Sequence, residues 1–329
     1  MIIARAPLRI PLGGGGTDLA SYYSRHDGFI LSAAIDKYVY IYVNHPAVDQ
    51  LIRLKYSKTE EVHTPTEIQH PLLREALLVT GTNSGMEIAA MADVPSGTGL
   101  GSSGSFLVAL LQALHASKGE NLPTQALAEE ACHIEIERAK QPVGKHDQYM
   151  AAFGGITCLE IAKDGAVHVS PLAVGRHVAE ELRANILLFY TGIRRDSHGI
   201  LQEQGQGAQD GKRNVVDSMH RIKEIGLEIK DAILREDLPR FGRLMHEHWE
   251  AKKRISSRMS DPNIDRWYGR GMAEGALGGK LMGAGGGGFL MFYAEGEARS
   301  RVRAAMAAEG LPEMHFNFDF SGSKVLVNL

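Results

Sequence analysis

The sequence predicts an α+β fold divided into two domains, and three observations lead to this prediction. The chain has 329 residues, a length that suits either one large domain or two. Short β-rich runs and longer helical patterns both occur along it. Near residue 180 a polar stretch gives way to a new apolar run. We therefore expect one domain over residues 1–180 and a second over residues 181–329.

The first half contains most of the predicted strands and two long helices. Runs of β-branched and aromatic residues predict strands, whereas apolar residues at helical spacing predict helices. Strands are expected at 2–5, where Pro7 ends the run, and at 38–43, 51–56, 86–92 and 155–161. Helices are expected at 104–117 and 123–140. The run 51–56 is a candidate to pair with 38–43.

The second half is predicted to be mainly helical. Residues 164–184 have the composition of a polar, irregular connection, and 186–191 predict a strand. Helical patterns follow at 213–258, with a break at 237–239, and at 262–277. A glycine-rich and then apolar segment covers 280–293, and 324–327 predict a final strand.

Composition limits the compartment and the partners. A net charge of −3 gives no overall footprint for nucleic acid or for an anionic membrane, and no apolar run could span a bilayer. The first residues lack the plan of a signal peptide. Cys132 and Cys158 are the two cysteines, which argues against a disulfide framework or a cysteine zinc site. We expect a cytoplasmic protein.

The middle glycine cluster is the most informative segment of the chain. It runs from Pro95 to Phe106 as PSGTGLGSSGSF, between an apolar run and a helical pattern. Glycines let backbone N–H groups approach a ligand, and the start of a helix favours negative charge. The segment therefore predicts a phosphate site. The hydroxyls of Ser102 and Ser103 could also hold Mg²⁺.

Other interpretations of this cluster are weaker. The pattern Gly99-x-Gly101-x-x-Gly104 matches the dinucleotide fingerprint, but it lies deep in the chain with no parallel βαβ unit around it. A Walker loop would need Lys followed by Ser or Thr after the glycines, and the protein-kinase signatures are missing from the sequence. A turn that binds nothing is the remaining alternative.

Two further glycine clusters flank this one in the sequence. Four glycines, 13–16, precede Thr17 and Asp18, and such a run suits a backbone pressed against a ligand rather than a helix or strand. Asp18 could bind sugar hydroxyls, or it could cap a helix at 19–24. The third cluster, at 283–288, follows Lys280, and its alternative interpretation is a flexible turn.

Together the three clusters resemble the three motifs of the GHMP sugar kinases, the superfamily of galactokinase, homoserine kinase and mevalonate kinase. The matching segments are APLRI with the glycines and Thr17-Asp18, the loop 95–105, and KLMGAGGG at 280–287. The segments DQYMAAFGG at 147–155 and YTGI at 190–193 are typical of the D-glycero-D-manno-heptose 7-phosphate kinase branch. The bacterial L-fucokinase domain shares much of this pattern.

The resemblance implies a fold, two cofactors and a metal site. The N-terminal domain would be of the ribosomal S5 domain 2-like type and the C-terminal domain ferredoxin-like. Mg²⁺ would be held by Ser103 or Ser102 and by Glu135, for which Glu137 is a competitor. The ATP phosphates would be bound by Pro95, Gly97, Gly99, Leu100, Gly101, Ser102, Ser103 and Gly104.

The resemblance also implies catalytic and substrate-binding residues. Asp147 would orient the sugar hydroxyl, either as a base or by stabilising the transition state, with Arg9 beside it. The phosphate of the sugar needs a basic partner, for which Arg195 fits the branch best and Arg194, Lys140 and Lys145 are alternatives. The substrate would contact Gly14, Gly15, Gly16, Thr17, Asp18, Arg195, Gly285 and Gly286.

The activity that the resemblance implies is ATP-dependent phosphorylation of the anomeric C1 hydroxyl of heptose 7-phosphate, giving the 1,7-bisphosphate. The partners would be ATP and a sugar phosphate, with no nucleic acid or membrane, and a homodimer is left open. Alternatives are an L-fucokinase, a galactokinase-like enzyme or a non-catalytic sensor of sugar and ATP. His246, His248 and the run 252–254 are interpreted as a polar helix face and a solvated helix end.

Overall fold

A long antiparallel pair of strands at the start of the chain organises the larger of two sheets. The computed structural model describes residues 1–193, 197–256, 258–283 and 285–329, without the side chains of residues 197 and 198. Strand β1 (Ile2–Gly13) pairs with β2 (Gly28–Asn44) along nearly its whole length. The prediction that Pro7 ends the first strand is wrong. Register shifts after Pro7 and Pro11 let β1 continue past residues that cannot donate a backbone hydrogen bond.

The remaining strands of this sheet extend from both sides of the β1–β2 pair. The order is β11-β1-β2-β5-β3-β4, and β6 pairs with both β2 and β7. These strands are β3 (Ile52–Lys55), β4 (Thr59–Val62), β5 (Met86–Ala92), β6 (Ile156–Ile161), β7 (Val167–Pro171) and β11 (Lys324–Asn328). The predicted pairing of 51–56 with 38–43 is wrong, because β5 lies between β3 and that part of β2.

Helices cover this sheet and position the loops beside it. They are α1 (Ala20–His26), α2 (Pro71–Val79), α3 (Ser102–Ser117), α4 (Thr124–Cys132) and α5 (His146–Phe153). Helix α3 packs against β1, β2 and α5, and its side chains from Leu107 to Leu111 are fully buried. Because α3 begins directly after the middle glycine cluster, that packing fixes the cluster against the sheet.

A smaller antiparallel sheet with order β8-β10-β9 forms the centre of the second half. Its strands are β8 (Ile186–Tyr190), β9 (Gly278–Leu281) and β10 (Phe289–Tyr293). The helices of this half are α6 (Arg176–Asn185), α7 (Ser197–Gln209), α8 (Arg213–Leu234), α9 (Leu238–Lys253), α10 (Pro262–Ala273) and α11 (Ala298–Ala308). Trp249, Trp267 and Phe292 are buried in the apolar cluster at this sheet.

The predicted irregular connection over 164–184 is wrong, because it contains β7 and α6. Val167 is buried on β7, and Val178, Ala179 and Leu182 form the buried face of α6. The apolar residues of β7 are few, and those of α6 lie among charged residues, so composition alone conceals both elements. The predicted domain boundary near residue 180 falls inside α6 and stays a prediction.

The final strand connects the two halves of the sequence. β11 follows the smaller sheet in the chain but pairs antiparallel with β1 in the larger one, with Ile2 opposite Asn328. Helix α8 also packs against β1 and β2. No helix that the structure describes has the length and apolar character needed to cross a membrane.

Candidate active site

The three glycine clusters meet in one cleft of about 880 Å³. Gly15 and Gly16 line it from the first cluster, while the second and third clusters contribute further glycines. Those lining residues are Gly97, Gly99, Gly101, Gly283, Gly285 and Gly287. The structure thus brings together backbone segments that lie far apart in the sequence.

The second and third clusters touch through their backbones. A Cβ atom added to Gly99 would lie 2.6 Å from the carbonyl oxygen of Met282, and one added to Gly283 would lie 2.5 Å from Gly99 Cα. Both residues also have positive φ angles, +81° and +70°. Glycine is therefore required at this crossing both for space and for backbone conformation.

Not all of the residues predicted to contact ligands line the cleft. Pro95, Ser102 and Ser103 do line it. Leu100 is buried, and its carbonyl accepts a hydrogen bond of 3.0 Å from the Arg9 N–H. Gly104 allows close packing instead, since a Cβ there would lie 2.7 Å from Asp147 Cβ.

Three of the residues predicted to contact the substrate instead contact the protein's own backbone. Thr17 is buried, and its hydroxyl lies 2.8 Å from the Gly14 carbonyl and 2.9 Å from the Phe29 carbonyl. Gly14 packs against the backbone of Phe29. The Gly286 N–H donates to the carbonyl of Met259. These residues shape their loops, and they are not among the residues that line the cleft.

An arginine and an aspartate form the centre of the cleft. Arg9, on β1, donates from Nε (2.8 Å) and from Nη2 (2.6 Å) to Oδ1 of Asp147, in the first turn of α5. Its Nη1 donates to the carbonyl of Gly99 at 2.6 Å. The arginine therefore connects the carboxylate to the middle glycine loop.

This geometry keeps Asp147 ionised. Burial raises the pKa of Asp147, but the charge of Arg9 and its hydrogen bonds outweigh burial and lower that pKa below its usual value. The adjacent His146 has a pKa lowered to about 3 by burial and by the charge of Arg9, so its imidazole is neutral at pH 7. The Asp147 side chain remains 24% exposed, within the cleft. A charged carboxylate is thus available to a ligand.

Glu135 lies in a π-helical segment, His133–Arg138, that continues α4. The predicted helix over 123–140 does not foresee this change, which often accompanies functional sites. Glu135 is 2% exposed as a residue and lines the cleft, and its carboxylate accepts a hydrogen bond of 2.7 Å from Gln148 Nε2. Burial raises its pKa to about 7, although hydrogen bonds from Ser103 and Gln148 oppose this shift.

Glu137, the competitor for the metal role, points elsewhere. Its side chain is 68% exposed and pairs with His133 at 2.9 Å. Among the described residues no group of three or more His, Cys, Asp or Glu side chains could hold a metal ion by itself. Mg²⁺ commonly binds one or two protein oxygens together with substrate phosphates. Glu135 and Ser103 fit that pattern, because they supply oxygen donors beside the predicted phosphate loop.

Asp18 lies in the same cleft, near Asp147. Its Oδ2 accepts a hydrogen bond of 3.1 Å from the backbone N–H of His146, and the absence of a side chain at Gly144 makes room for its carboxylate. Burial, and then the charge of Asp147, raises its pKa. The alternative role as a helix cap is wrong, because α1 begins after Leu19 without a side-chain cap.

One end of the cleft is aromatic, which the sequence does not predict. Tyr56, His70 and Phe106 line it, with ring centroids 4.9 Å apart for Tyr56 and His70 and 5.2 Å apart for His70 and Phe106. A planar apolar ligand group fits such a surface. The three residues come from separate segments with no shared motif, so no sequence signal joins them.

Two residues of α9, Lys252 and His248, lie in surroundings that the sequence does not predict. Lys252 was expected at a solvated helix end, yet it is 8% exposed, and its Nζ donates to the carbonyl of Gly283. His248 was expected on a polar face, yet it is 1% exposed and lines the cleft with Lys252 and Lys280. His246 instead bonds to the Tyr268 hydroxyl at 2.7 Å. Helical periodicity cannot distinguish a cleft-facing lysine from a solvated one.

The structure describes two of the four basic residues predicted as partners of a substrate phosphate, Lys140 and Lys145. Arg194 and Arg195 lie outside the described residues. Lys145 is directed away from the cleft, because its Nζ donates to the carbonyl of Gly165. Lys140 is not among the lining residues either.

The fold and the site are those of a phosphoryl-transfer enzyme. The glycine loop at a helix start can bind phosphate, and the Arg–Asp pair in the same cleft supplies a cation and an ionised carboxylate, which suits phosphoryl transfer. Family models agree, with the GHMP kinases N terminal domain matching residues 68–155 and the GHMP kinases C terminal domain matching residues 229–311.

Similar proteins extend this agreement over the whole chain. The chain is 28% identical to D-glycero-alpha-D-manno-heptose 7-phosphate kinase of Campylobacter jejuni, with 98% of each protein covered. It is 26% identical to L-fucokinase/L-fucose-1-P guanylyltransferase of Bacteroides fragilis, over 97% of this chain and 37% of that protein. The solved structure of a D-glycero-D-manno-heptose 1-phosphate kinase from Bacteroides thetaiotaomicron matches with a TM-score of 0.81 and 26% identity, over 99% of each chain.

The chain belongs to the GHMP kinase family. The predicted two-domain GHMP kinase fold, with its ribosomal S5 domain 2-like and ferredoxin-like domains, is thereby confirmed. A GHMP kinase is a phosphotransferase, and the family implies ATP as the phosphoryl donor.

Proposed function

We propose that the protein transfers the γ-phosphoryl group of ATP to the anomeric C1 hydroxyl of D-glycero-D-manno-heptose 7-phosphate, giving the 1,7-bisphosphate. The observation that carries the proposal is the Asp147 carboxylate, held by Arg9 where the three glycine loops meet. The similarity to the C. jejuni heptose 7-phosphate kinase over 98% of both chains supports the choice of sugar.

The nucleotide and the acceptor occupy opposite ends of the cleft in this proposal. The adenine ring lies at Tyr56, His70 and Phe106, and the phosphates lie along the middle glycine loop at the start of α3. The sugar lies near Asp18 and Gly16, beside Gln204, which lines the same part of the cleft. This arrangement places the acceptor hydroxyl beside Asp147.

The transfer itself needs alignment and charge neutralisation more than covalent chemistry. Asp147 accepts the hydrogen bond, and then the proton, of the attacking hydroxyl as the bond from the γ-phosphorus to ADP breaks. Arg9 keeps the carboxylate ionised and stabilises negative charge on the phosphoryl group. Mg²⁺, bound through Ser103 and Glu135, would neutralise charge on the nucleotide phosphates.

The sugar and the position of its accepting hydroxyl require a direct test. One of the similar proteins is named a heptose 7-phosphate kinase and the other a heptose 1-phosphate kinase. ADP release should be measured with heptose 7-phosphate, heptose 1-phosphate, free heptose, L-fucose and galactose, and the product located by phosphorus NMR. We expect the highest kcat/KM for heptose 7-phosphate and a new phosphate at C1. Preference for heptose 1-phosphate would contradict the proposal.

An L-fucokinase is the second candidate, because the B. fragilis bifunctional protein matches 97% of this chain. The same panel separates the two, since turnover with L-fucose and none with phosphorylated heptoses would favour the fucokinase. With heptose 7-phosphate as substrate, the product would supply nucleotide-activated heptose for capsule, S-layer or lipopolysaccharide synthesis. That role is part of the proposal, as is a cytoplasmic location.

A further inference from the structure

Two buried lysines lie in the cleft without an acidic partner. Lys252 on α9 is 8% exposed, and Lys280 on β9 is 1% exposed. Their ammonium groups donate to backbone carbonyls, those of Gly283 and Leu12 respectively. Within the part of the chain that the structure describes, neither lysine forms an ion pair. A buried ammonium group bonded only to neutral carbonyls is costly, so such groups are commonly paired or functional.

Basic groups in the same part of the cleft disfavour one another's charged forms. Burial and the charge of Arg9 lower the pKa of Lys252 to about 8, and burial and the charge of Lys252 lower that of Lys280 well below its usual value. Arg9 is itself paired with Asp147. His248 adds no compensating charge, and both nitrogens of its buried ring lack a hydrogen-bond partner among the described residues. An anion bound beside these lysines would favour their protonated forms.

We propose that Lys252 and Lys280 bind the phosphoryl group in transit between the nucleotide and the acceptor, from the wall of the cleft formed by α9 and β9. This inference rests on the proposed function for the presence of that group. The negative charge of the bound group favours the protonated form of both lysines, so they contribute positive charge while the acceptor proton passes to Asp147.

The position of Lys252 favours the transferring group over a phosphate carried by the acceptor. Lys252 bonds to Gly283, whose backbone packs against Gly99 of the phosphate loop. Arg9 bonds to both Gly99 and Asp147. The lysine therefore lies where the nucleotide loop meets the carboxylate that receives the hydroxyl.

The test compares nucleotide affinities, because these require no sugar. Binding of ADP and of a non-hydrolysable ATP analogue (β,γ-imido-ATP), each with Mg²⁺, is measured by calorimetry for wild type, Lys252→Met and Lys280→Met. We expect each substitution to weaken the analogue about tenfold, or about 1.4 kcal/mol, and to leave ADP within about twofold. We also expect kcat to fall at least about 100-fold.

Two further variants keep the result interpretable. Lys253→Met changes the next residue of α9, a partly exposed lysine paired with Glu250, and should leave both affinities and kcat unchanged. Lys252→Gln keeps a donor for the Gly283 carbonyl but removes the charge, and should behave like Lys252→Met. Thermal unfolding checks that each variant is folded.

Three results would overturn the inference. Equal losses for ADP and the analogue would show a structural role, and unchanged analogue binding would show no contact with the third phosphate. A raised KM for heptose 7-phosphate alone, with normal KM for free heptose and normal nucleotide discrimination, would assign the lysines to the phosphate of the acceptor. Because the affinity measurements contain no sugar, they are valid whichever sugar the enzyme uses.

Discussion

Asp147 and Arg9 are separated by 138 positions in the sequence, yet their side chains make two hydrogen bonds. The pairing sets the protonation state of the carboxylate, because the charge of Arg9 outweighs the burial that would raise the pKa of Asp147. A carboxylate that stays ionised can receive a proton when the acceptor hydroxyl attacks. The proposed chemistry depends on this pair more directly than on any other contact.

Replacing Asp147 by Asn should remove proton acceptance while keeping a similar volume beside Arg9. We expect kcat to fall by about 10²–10⁴-fold, the range for loss of a general base. Affinity for the ATP analogue should stay within about threefold, since the phosphate loop is unchanged. Steady-state kinetics and calorimetry measure these effects. Wild-type turnover by this variant would refute the role of Asp147.

Glu135 allows a prediction about pH. Burial raises its pKa from 4.5 to about 7 in the folded protein. The folded state therefore holds this proton more tightly than the unfolded state. The resulting contribution to the free energy of unfolding is full below pH 4.5 and is lost as pH rises through about 7. At pH 8 the ionised carboxylate should cost stability, by up to about 3 kcal/mol.

Glu135→Gln should consequently raise the free energy of unfolding at pH 8, by about 1–3 kcal/mol, and change it little at pH 4. Urea unfolding at the two pH values measures this difference. Activity should fall in parallel, because the amide is a poorer Mg²⁺ ligand. The exposed Glu137, changed to Gln, is the matched control and should alter neither property. Equal effects of Glu135→Gln at both pH values would contradict the argument.

At the scale of elements, the crossing of two glycine loops forms the floor of the cleft. Gly99 needs both a positive φ and the absence of a Cβ, because the carbonyl of Met282 would lie 2.6 Å from that atom. Neither loop can move away easily, because the Gly99 carbonyl accepts a hydrogen bond from Arg9 and the Gly283 carbonyl accepts one from Lys252. The loops are therefore held in place by their neighbours.

Gly99→Ala should destabilise the protein by roughly 2–4 kcal/mol, from backbone strain and steric overlap together, and should weaken nucleotide binding. Gly81→Ala is the matched control, because Gly81 has a φ of +66° but open space around the added Cβ. It should cost about 1 kcal/mol and leave nucleotide affinity unchanged. Chemical denaturation and calorimetry measure both effects. Equal losses of unfolding free energy for the two variants would mean that the loops shift to accommodate the added Cβ beside Met282.

Elements of the fold differ in how closely the sequence predicts them. Strand β5 and helix α3 were predicted closely, because each has a strong pattern bounded by turn residues. The sequence does not predict strand β7, which has two apolar residues, or helix α6, whose apolar residues lie among charged ones. The glycine motifs indicate which loops converge, because a backbone that approaches a ligand closely requires residues without side chains. Lys252, His248 and Tyr56 carry no such requirement, and only their folded positions show that they line the cleft.

For the whole molecule, one apolar core spans both halves of the sequence. It contains Leu8 and Ile35 of the larger sheet together with Phe289 and Met291 of the smaller one. Strand β11 adds backbone hydrogen bonds to the same unit. Contacts of this kind favour a single cooperative transition on unfolding.

The two tryptophans, Trp249 and Trp267, test this expectation because both lie in the separate cluster at the smaller sheet. Urea unfolding followed by their fluorescence should give the same midpoint as far-ultraviolet circular dichroism, which follows the whole chain. Addition of the ATP analogue with Mg²⁺ should shift both midpoints together. Two separated midpoints would show that the halves unfold independently.

The length of β2 has a consequence for how the chain can vary. Its residues 28–33 pair with β6, and residues 39–44 pair with β5, so one strand carries both flanks of the sheet, and its pairing with β1 shifts register between Ile35 and Tyr38. Removing a single residue between them, near Asp36, would exchange inward-facing and outward-facing side chains on one flank relative to the other. Substitutions along this strand are therefore tolerable where insertions and deletions are not. Changes in chain length should collect instead in the exposed segment 45–51 that follows it.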